Sequence, residues 1–191
     1  MLAYVFWHWP QSTIDRQVYE EHLVSFHSTL KAYRPDGFKW SAVFLTSDMP
    51  WIGNSSDAYE EWYLLDDSAA MDKLNHAAVS GACEEPHNRV AREAAGGVAG
   101  LYRLRAGKES LSKSRVAMWF AKPNGVSYSH LHSTLQPICA EEGVALWGRQ
   151  MTLGPTTEYC IHSHKEIRLP PGFEEVKVTQ RLIWSGRSEV R

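Results

Sequence analysis

Nine histidines are the side chains of this sequence best suited to moving protons near neutral pH, because a neutral imidazole accepts or releases a proton there. Two of them open the same four letters, His27-Ser28-Thr29-Leu30 and His132-Ser133-Thr134-Leu135. His8 ends an aromatic and β-branched run and shares one face of it with Tyr4 and Phe6, since side chains alternate along a strand. Cys160-x-His162-x-His164 sets three donors on one strand face, which a soft metal would accept together with a fourth ligand. Same-face neighbours lie roughly 7 Å apart, wider than two ligands of one tetrahedral ion prefer, so no metal is expected. His130 and His132 sit at i,i+2 of a helix and point apart.

The elements that must position these residues come in a repeating order. Leu2–Trp9 reads as a strand stopped by Pro10, and Tyr19, Leu23, Phe26, Leu30 and Tyr33 mark a helix over 15–34, with Ser12 or Thr13 as its cap and Pro35 and Gly37 at its end. Phe38–Thr46 and Ala58–Leu65 alternate as strands around a long loop, 47–57. Asp67 or Ser68 caps a helix broken at Ser80-Gly81, which Pro86 restarts through Ala95 and Gly96-Gly97 closes before a strand at Val98–Leu104. A polar linker over 106–114 separates this unit, 1–105, from a second one over 115–191. There Arg115–Lys122, a helix over Ser127–Glu142, Val144–Leu153, Glu158–Ile167 and Glu175–Trp184 follow, with only Leu169–Phe173 where the first unit has its second helical pair. The expected class is α+β: two tandem ferredoxin-like units, βαββαβ and a shortened βαβββ, whose antiparallel sheets face each other as a barrel within one chain.

Composition narrows the partners. Charged residues make up 22% and the formal net charge is -2, so no basic excess exists to neutralise phosphates, and nucleic acid is not an expected partner. No run approaches about 18 apolar residues, so no membrane span is expected. Met1–Pro10 is apolar but lacks a secretory signal's basic start and cleavage site. Cys83, Cys139 and Cys160, odd in number and widely spaced, suit reduced thiols and a cytoplasmic protein. A two-unit chain either closes its barrel as a monomer or leaves an edge free for a homodimer. Eight tryptophans, all but Trp51 on expected strands, are expected to fill the cores and the interface between the sheets; the alternative is an aromatic-walled pocket with Trp51 as a lid.

This element order, the Tyr19-x-x-His22-x-x-x-x-His27 stretch and Glu60-Glu-Trp-Tyr-Leu-Leu-Asp-Asp-Ser-Ala-Ala70 at a strand-to-helix junction resemble the dimeric α+β barrel superfamily, in particular its EthD-like branch. The resemblance implies pockets between each sheet and its helices. It also implies a range of activities, from cofactor-free monooxygenases, polyketide cyclases and isomerases to haem binding and members with no known reaction, so fold alone does not assign one.

What the resemblance implies for single residues follows. It puts His27, and through the repeat His132, in a pocket, and pairs the first-strand His8 with His27 or Tyr59. The expected function is binding of a small aromatic or polyketide-like molecule, with cofactor-independent chemistry by His8 or His27. Tyr59 or Tyr19 would then donate a hydrogen bond to a carbonyl as charge develops on it. Tyr19, Trp40, Trp51, Trp62 and His132 are the expected substrate contacts. The alternative is a non-catalytic binding or structural protein whose histidines fix packing; a third option is haem, with His27 or His132 as axial ligand.

Overall fold

In a computed structural model, which describes residues 1–47, 49–52, 58–151 and 154–187, the chain runs β1 (Leu2–Pro10), α1 (Arg16–Tyr33), β2 (Phe38–Thr46), β3 (Ala58–Leu65), α2 (Ala69–Ala78), α3 (Gly81–Glu93), β4 (Ala94–Gly107), β5 (Val116–Phe120), α4 (Tyr128–Cys139), β6 (Ala145–Arg149), β7 (Tyr159–Ser163) and β8 (Glu175–Ser185). Residues 48 and 53–57 of the expected loop and the expected strand end at 152–153 lie outside the described residues. Among the described residues no helix is long and apolar enough to cross a membrane.

The strands form one closed antiparallel barrel in the order β1-β3-β2-β8-β5-β7-β6-β4. Each half of the chain contributes four adjacent strands in the same internal order: fourth, first, third, second. Two long strands join the halves. β4 pairs with β1 through Ala94–Arg103 and with β6 through Tyr102–Gly107. β8 pairs with β5 through Glu175–Thr179 and with β2 through Gln180–Ser185. One chain therefore satisfies both edges of each four-stranded half, as the expected intramolecular barrel requires.

Alternation along the strands sorts the residues into two environments. Val5 and Trp7 of β1, Phe44 of β2, Trp62 of β3, Trp119 of β5 and Trp147 of β6 point into the barrel, and an eight-stranded barrel is just wide enough for side chains to fill. Trp119 meets Trp7, Trp51 and Tyr102 with ring centroids 5.4 Å apart in each pair. One carboxylate lies among these indoles. Glu60 is fully buried and accepts hydrogen bonds from Trp7 Nε1 at 2.7 Å, Trp62 Nε1 at 2.8 Å and Gln180 Nε2 at 2.6 Å. Among the described residues the Trp119 and Trp147 indole nitrogens find no partner.

The outer faces carry the helices. Asp15, rather than Ser12 or Thr13, caps α1, accepting the amides of Gln17 and Val18. The Asp67 carboxylate accepts the Ala70 amide at the start of α2. Pro86 sits inside α3 instead of starting it; the helix begins five residues earlier, where Ser80 is extended and Cys83 is fully buried. Gly96 and Gly97 belong to β4 and do not close a helix. A Cβ on Gly96 would stand 2.6 Å from Trp9 Cζ2, and one on Gly97 would collide with Phe6, so the glycines let the aromatic rings of β1 lie across β4. In the second half α4 covers the sheet with Leu131, Leu135 and Cys139, and the helix-free segment after β7 adds Ile167, Leu169 and Phe173 to the same apolar cluster.

Candidate functional site

In the first half α1 lies over β2 and β8, and α3 packs against α1. The outer faces of β1 and β4 are left partly uncovered beneath α2 and α3. A cavity of about 520 Å³ occupies this space. Tyr4, Phe6, Phe26, Leu74 and Val90 supply much of its lining. His8, Tyr19, Glu61 and Tyr63 line one end, while Asp72, Asn75 and His87 stand on the α2 and α3 side.

Glu61 organises the buried end. It lies next to Glu60 in sequence, so it faces the helices where Glu60 faces the barrel. Its Oε1 is 3.1 Å from His8 Nε2 and 3.4 Å from His27 Nε2, and its Oε2 accepts a short hydrogen bond from the Tyr63 hydroxyl. The far nitrogens of the rings are also engaged, His8 Nδ1 with the Tyr19 hydroxyl at 2.7 Å and His27 Nδ1 with Ser41 Oγ at 2.8 Å. One proton assignment satisfies every contact: both imidazoles carry Nε2–H toward the carboxylate, and Tyr19 and Ser41 donate to the Nδ1 lone pairs.

Burial works against a charge on Glu61, but the His8 and His27 imidazoles outweigh it and hold the carboxyl well below the usual carboxylate range. Burial first, and then the Glu61 charge, push the Tyr19 and Tyr63 phenols far above the ordinary tyrosine value. The site thus pairs a permanent carboxylate and two oriented imidazoles with phenols that keep their protons.

Strand register gives an internal control. β1 pairs with β3 as β5 pairs with β7, which sets Phe120 at the position of His8, Ile161 at that of Glu61 and Ser163 at that of Tyr63. All three are packed without the polar cluster, and Phe120 stacks on Tyr159 instead. The two HSTL copies diverge in the same sense: His27 is buried, whereas His132 is exposed with its ring edge toward Tyr159. This architecture folds with Phe, Ile and Ser at these positions, so the polar cluster is not a requirement of the barrel.

The expected site residues fall into three places. His8 and Tyr19 line the cavity, and His27 lies behind them, bonded to Ser41 and Glu61. Tyr59 is buried beside the cavity, stacked on His8 at 5.6 Å with its hydroxyl on Glu20. Trp40, Trp51 and Trp62 pack with the barrel-interior cluster, on the opposite face of the sheet, and Trp51 meets Trp7 at 5.9 Å instead of covering the cavity. His132 is on the outer surface of α4. Of the two expected axial haem ligands, His27 has both ring nitrogens engaged, by Ser41 and Glu61, and His132 is exposed on α4 rather than facing an apolar slot. Cys160 and His162 face the barrel while His164 is exposed, and among the described residues no group of three His, Cys, Asp or Glu side chains is arranged to hold a metal ion.

Glu61, Tyr63 and His87 escape a sequence reading centred on histidine pairs. The available signal was the doublet Glu60-Glu61 inside a strand otherwise made of Ala, Tyr, Trp and Leu, because two buried carboxylates side by side need buried donors on both faces.

No protein-family model matches this sequence, and no curated protein matches it. Among solved structures it is similar to a "putative monooxygenase" from Lactobacillus acidophilus NCFM, with a TM-score of 0.60 and 10% identity over 96% of this chain and 95% of that one. It is also similar to an anthrone oxidase-like protein, with a TM-score of 0.55 and 8% identity over 100% of this chain and 94% of that one. At such identities the likeness establishes the α+β barrel fold.

Proposed function

We propose that this protein is a cofactor-independent enzyme that binds a small aromatic or polyketide-like molecule in the cavity and transfers a proton through His8. The observation that carries this reading is the buried Glu61–His8–Tyr19 chain at the end of the cavity, set against its apolar counterpart in the second half. The names of the two structural neighbours, a "putative monooxygenase" and an anthrone oxidase-like protein, agree with oxidation of an enolisable aromatic compound.

Glu61 accepts the Nε2–H of His8 and so keeps Nδ1 as the acceptor. An acidic C–H or O–H proton of the substrate passes to Nδ1 through Tyr19, whose oxygen takes that proton as its own is handed to His8. The imidazolium formed is stabilised by the adjacent carboxylate, and the protonated Tyr19 hydroxyl is the donor for negative charge developing on the substrate oxygen. Tyr59 stacks on His8 and fixes its plane. His27 holds Glu61 from the opposite side, a positioning role.

The test uses an enolisable tricyclic aromatic ketone of the anthrone type in deuterated buffer, with exchange of its methylene protons followed by mass spectrometry and oxygen uptake recorded in parallel. Exchange above the buffer rate, reduced by about 10² or more in a folded His8→Ala variant, is the expected result. Equal exchange in wild type and His8→Ala removes His8 from the chemistry.

A further inference from the structure

The cavity has a second polar end. Asp72 and Asn75 stand at i,i+3 on α2 and so share one face of the helix. His87, on α3, lines the cavity as well, with its Nδ1 on Asn88 and its ring edge on Phe26. The side chains of Asp72 and Asn75 are exposed and have no hydrogen-bond partner among the described residues. Phe26 links this group to the Glu61 cluster, its ring centroid 5.2 Å from that of His27 and 5.5 Å from that of His87, and Phe6 and Leu74 line the cavity with it. Charge is as one-sided as shape is two-ended: carboxylates stand at both ends, and no Lys or Arg occurs among the described lining residues.

We infer that the cavity selects an uncharged ligand with a hydroxyl at each end, one held at Tyr19 and His8 and the other at Asp72 and Asn75, and that it rejects carboxylates and other anions. Asp72 accepts from the far hydroxyl and the Asn75 amide can donate to it, so these two side chains set orientation and length. A carboxylate reaching the inner end meets Glu61 in surroundings of lower dielectric than water, and one at the outer end meets Asp72, with no Lys or Arg among the described lining residues at either end. Acyl groups carried on anionic thioesters and free aromatic acids are excluded for the same reason.

This inference rests on the reading of the cavity as the ligand site, and its test separates the two. Three probes of one shape are titrated at neutral pH by calorimetry against the full chain: a naphthalenediol with hydroxyls at opposite ends, the naphthol lacking one of them, and the hydroxynaphthoate in which a carboxylate replaces it. The expected order is diol, then naphthol, then hydroxynaphthoate, with the first at least about tenfold tighter than the last. In the double variant Asp72→Ala, Asn75→Ala, whose changes lie at exposed helix positions, the diol-to-naphthol ratio falls to about one. In Asp72→Asn the penalty on the hydroxynaphthoate shrinks severalfold. Binding of all three probes with equal affinity, or unchanged ratios in the variants, overturns the two-ended, anion-excluding site while leaving the cavity as a ligand site. If none of the probes binds, both readings fall.

Discussion

A carboxylate out of contact with water persists only where its lone pairs are filled, and Glu61 fills them with His8, His27 and Tyr63. Its charge is therefore bound to the native state, and the sign of the pH effect follows. The folded-state pKa lies below the unfolded one, so on acidification the unfolded chain takes up the proton first. The stabilisation is fully present above the ordinary glutamate value of about 4.3 and is lost as pH falls from there toward the lower folded value. Glu61→Gln should cost roughly 1–3 kcal/mol near neutrality, because the amide leaves part of the donor set unmatched. Its denaturation midpoint should also fall less between about pH 7 and pH 3 than that of wild type. Parallel midpoint curves for the two proteins would mean that the histidines do not hold the charge. At the alkaline end the raised Tyr19 and Tyr63 phenols work in the opposite direction. Above about pH 10 the unfolded chain ionises while these side chains stay protonated, so stability declines there.

At the scale of elements, the cavity exists because α3 rests against α1 and leaves β1 and β4 partly bare. Small residues at the start of β4 preserve that space, since Ala94, Ala95, Gly96 and Gly97 all line it. Gly97→Ala must displace the Phe6 ring, and the cavity is the side with room. The expected result is a ligand affinity about tenfold weaker, with a stability loss of about 1–3 kcal/mol, read by probe titration and thermal melting of the same variant. Unchanged affinity would show that β4 shifts instead of Phe6. The second half lacks the helix pair, and Leu169 and Phe173 help close its outer face in its place. The repeated HSTL letters marked two equivalent helices in the sequence, yet they could not reveal this difference. Burial of His27 depends on Glu61, Tyr63 and Ser41 across a sheet face, and the matching positions on β7 hold Ile161 and Ser163.

Over the whole molecule, the barrel interior and the cavity are separate layers on opposite faces of the same strands, and they should respond separately to mutation. Trp119 is fully buried and touches Trp7, Trp51, Trp62 and Tyr102, so Trp119→Ala should cost about 3–5 kcal/mol in chemical denaturation. The variant that remains folded should still bind cavity ligands with near wild-type affinity, because no interior indole lines the cavity. A large loss of affinity in folded Trp119→Ala would place the ligand inside the barrel instead.

The sequence by itself determined the order of elements and the α+β class with its antiparallel strands. Period-two and helical patterns, with proline and glycine as stops, are local properties that each segment carries alone. Spacing assigned His8 to a strand face and Tyr19 to a helix face, but what singled them out as site residues was the resemblance to the α+β barrel superfamily, not spacing. Only the tertiary structure decided that Glu61 joins His8 to His27, that Trp40, Trp51 and Trp62 turn away from the cavity, and that His132 lies on the surface. These depend on register between strands far apart in the chain and on which helix rests on which face. Such pairings bring residue 8 to 61 and 60 to 180, and no local pattern encodes them.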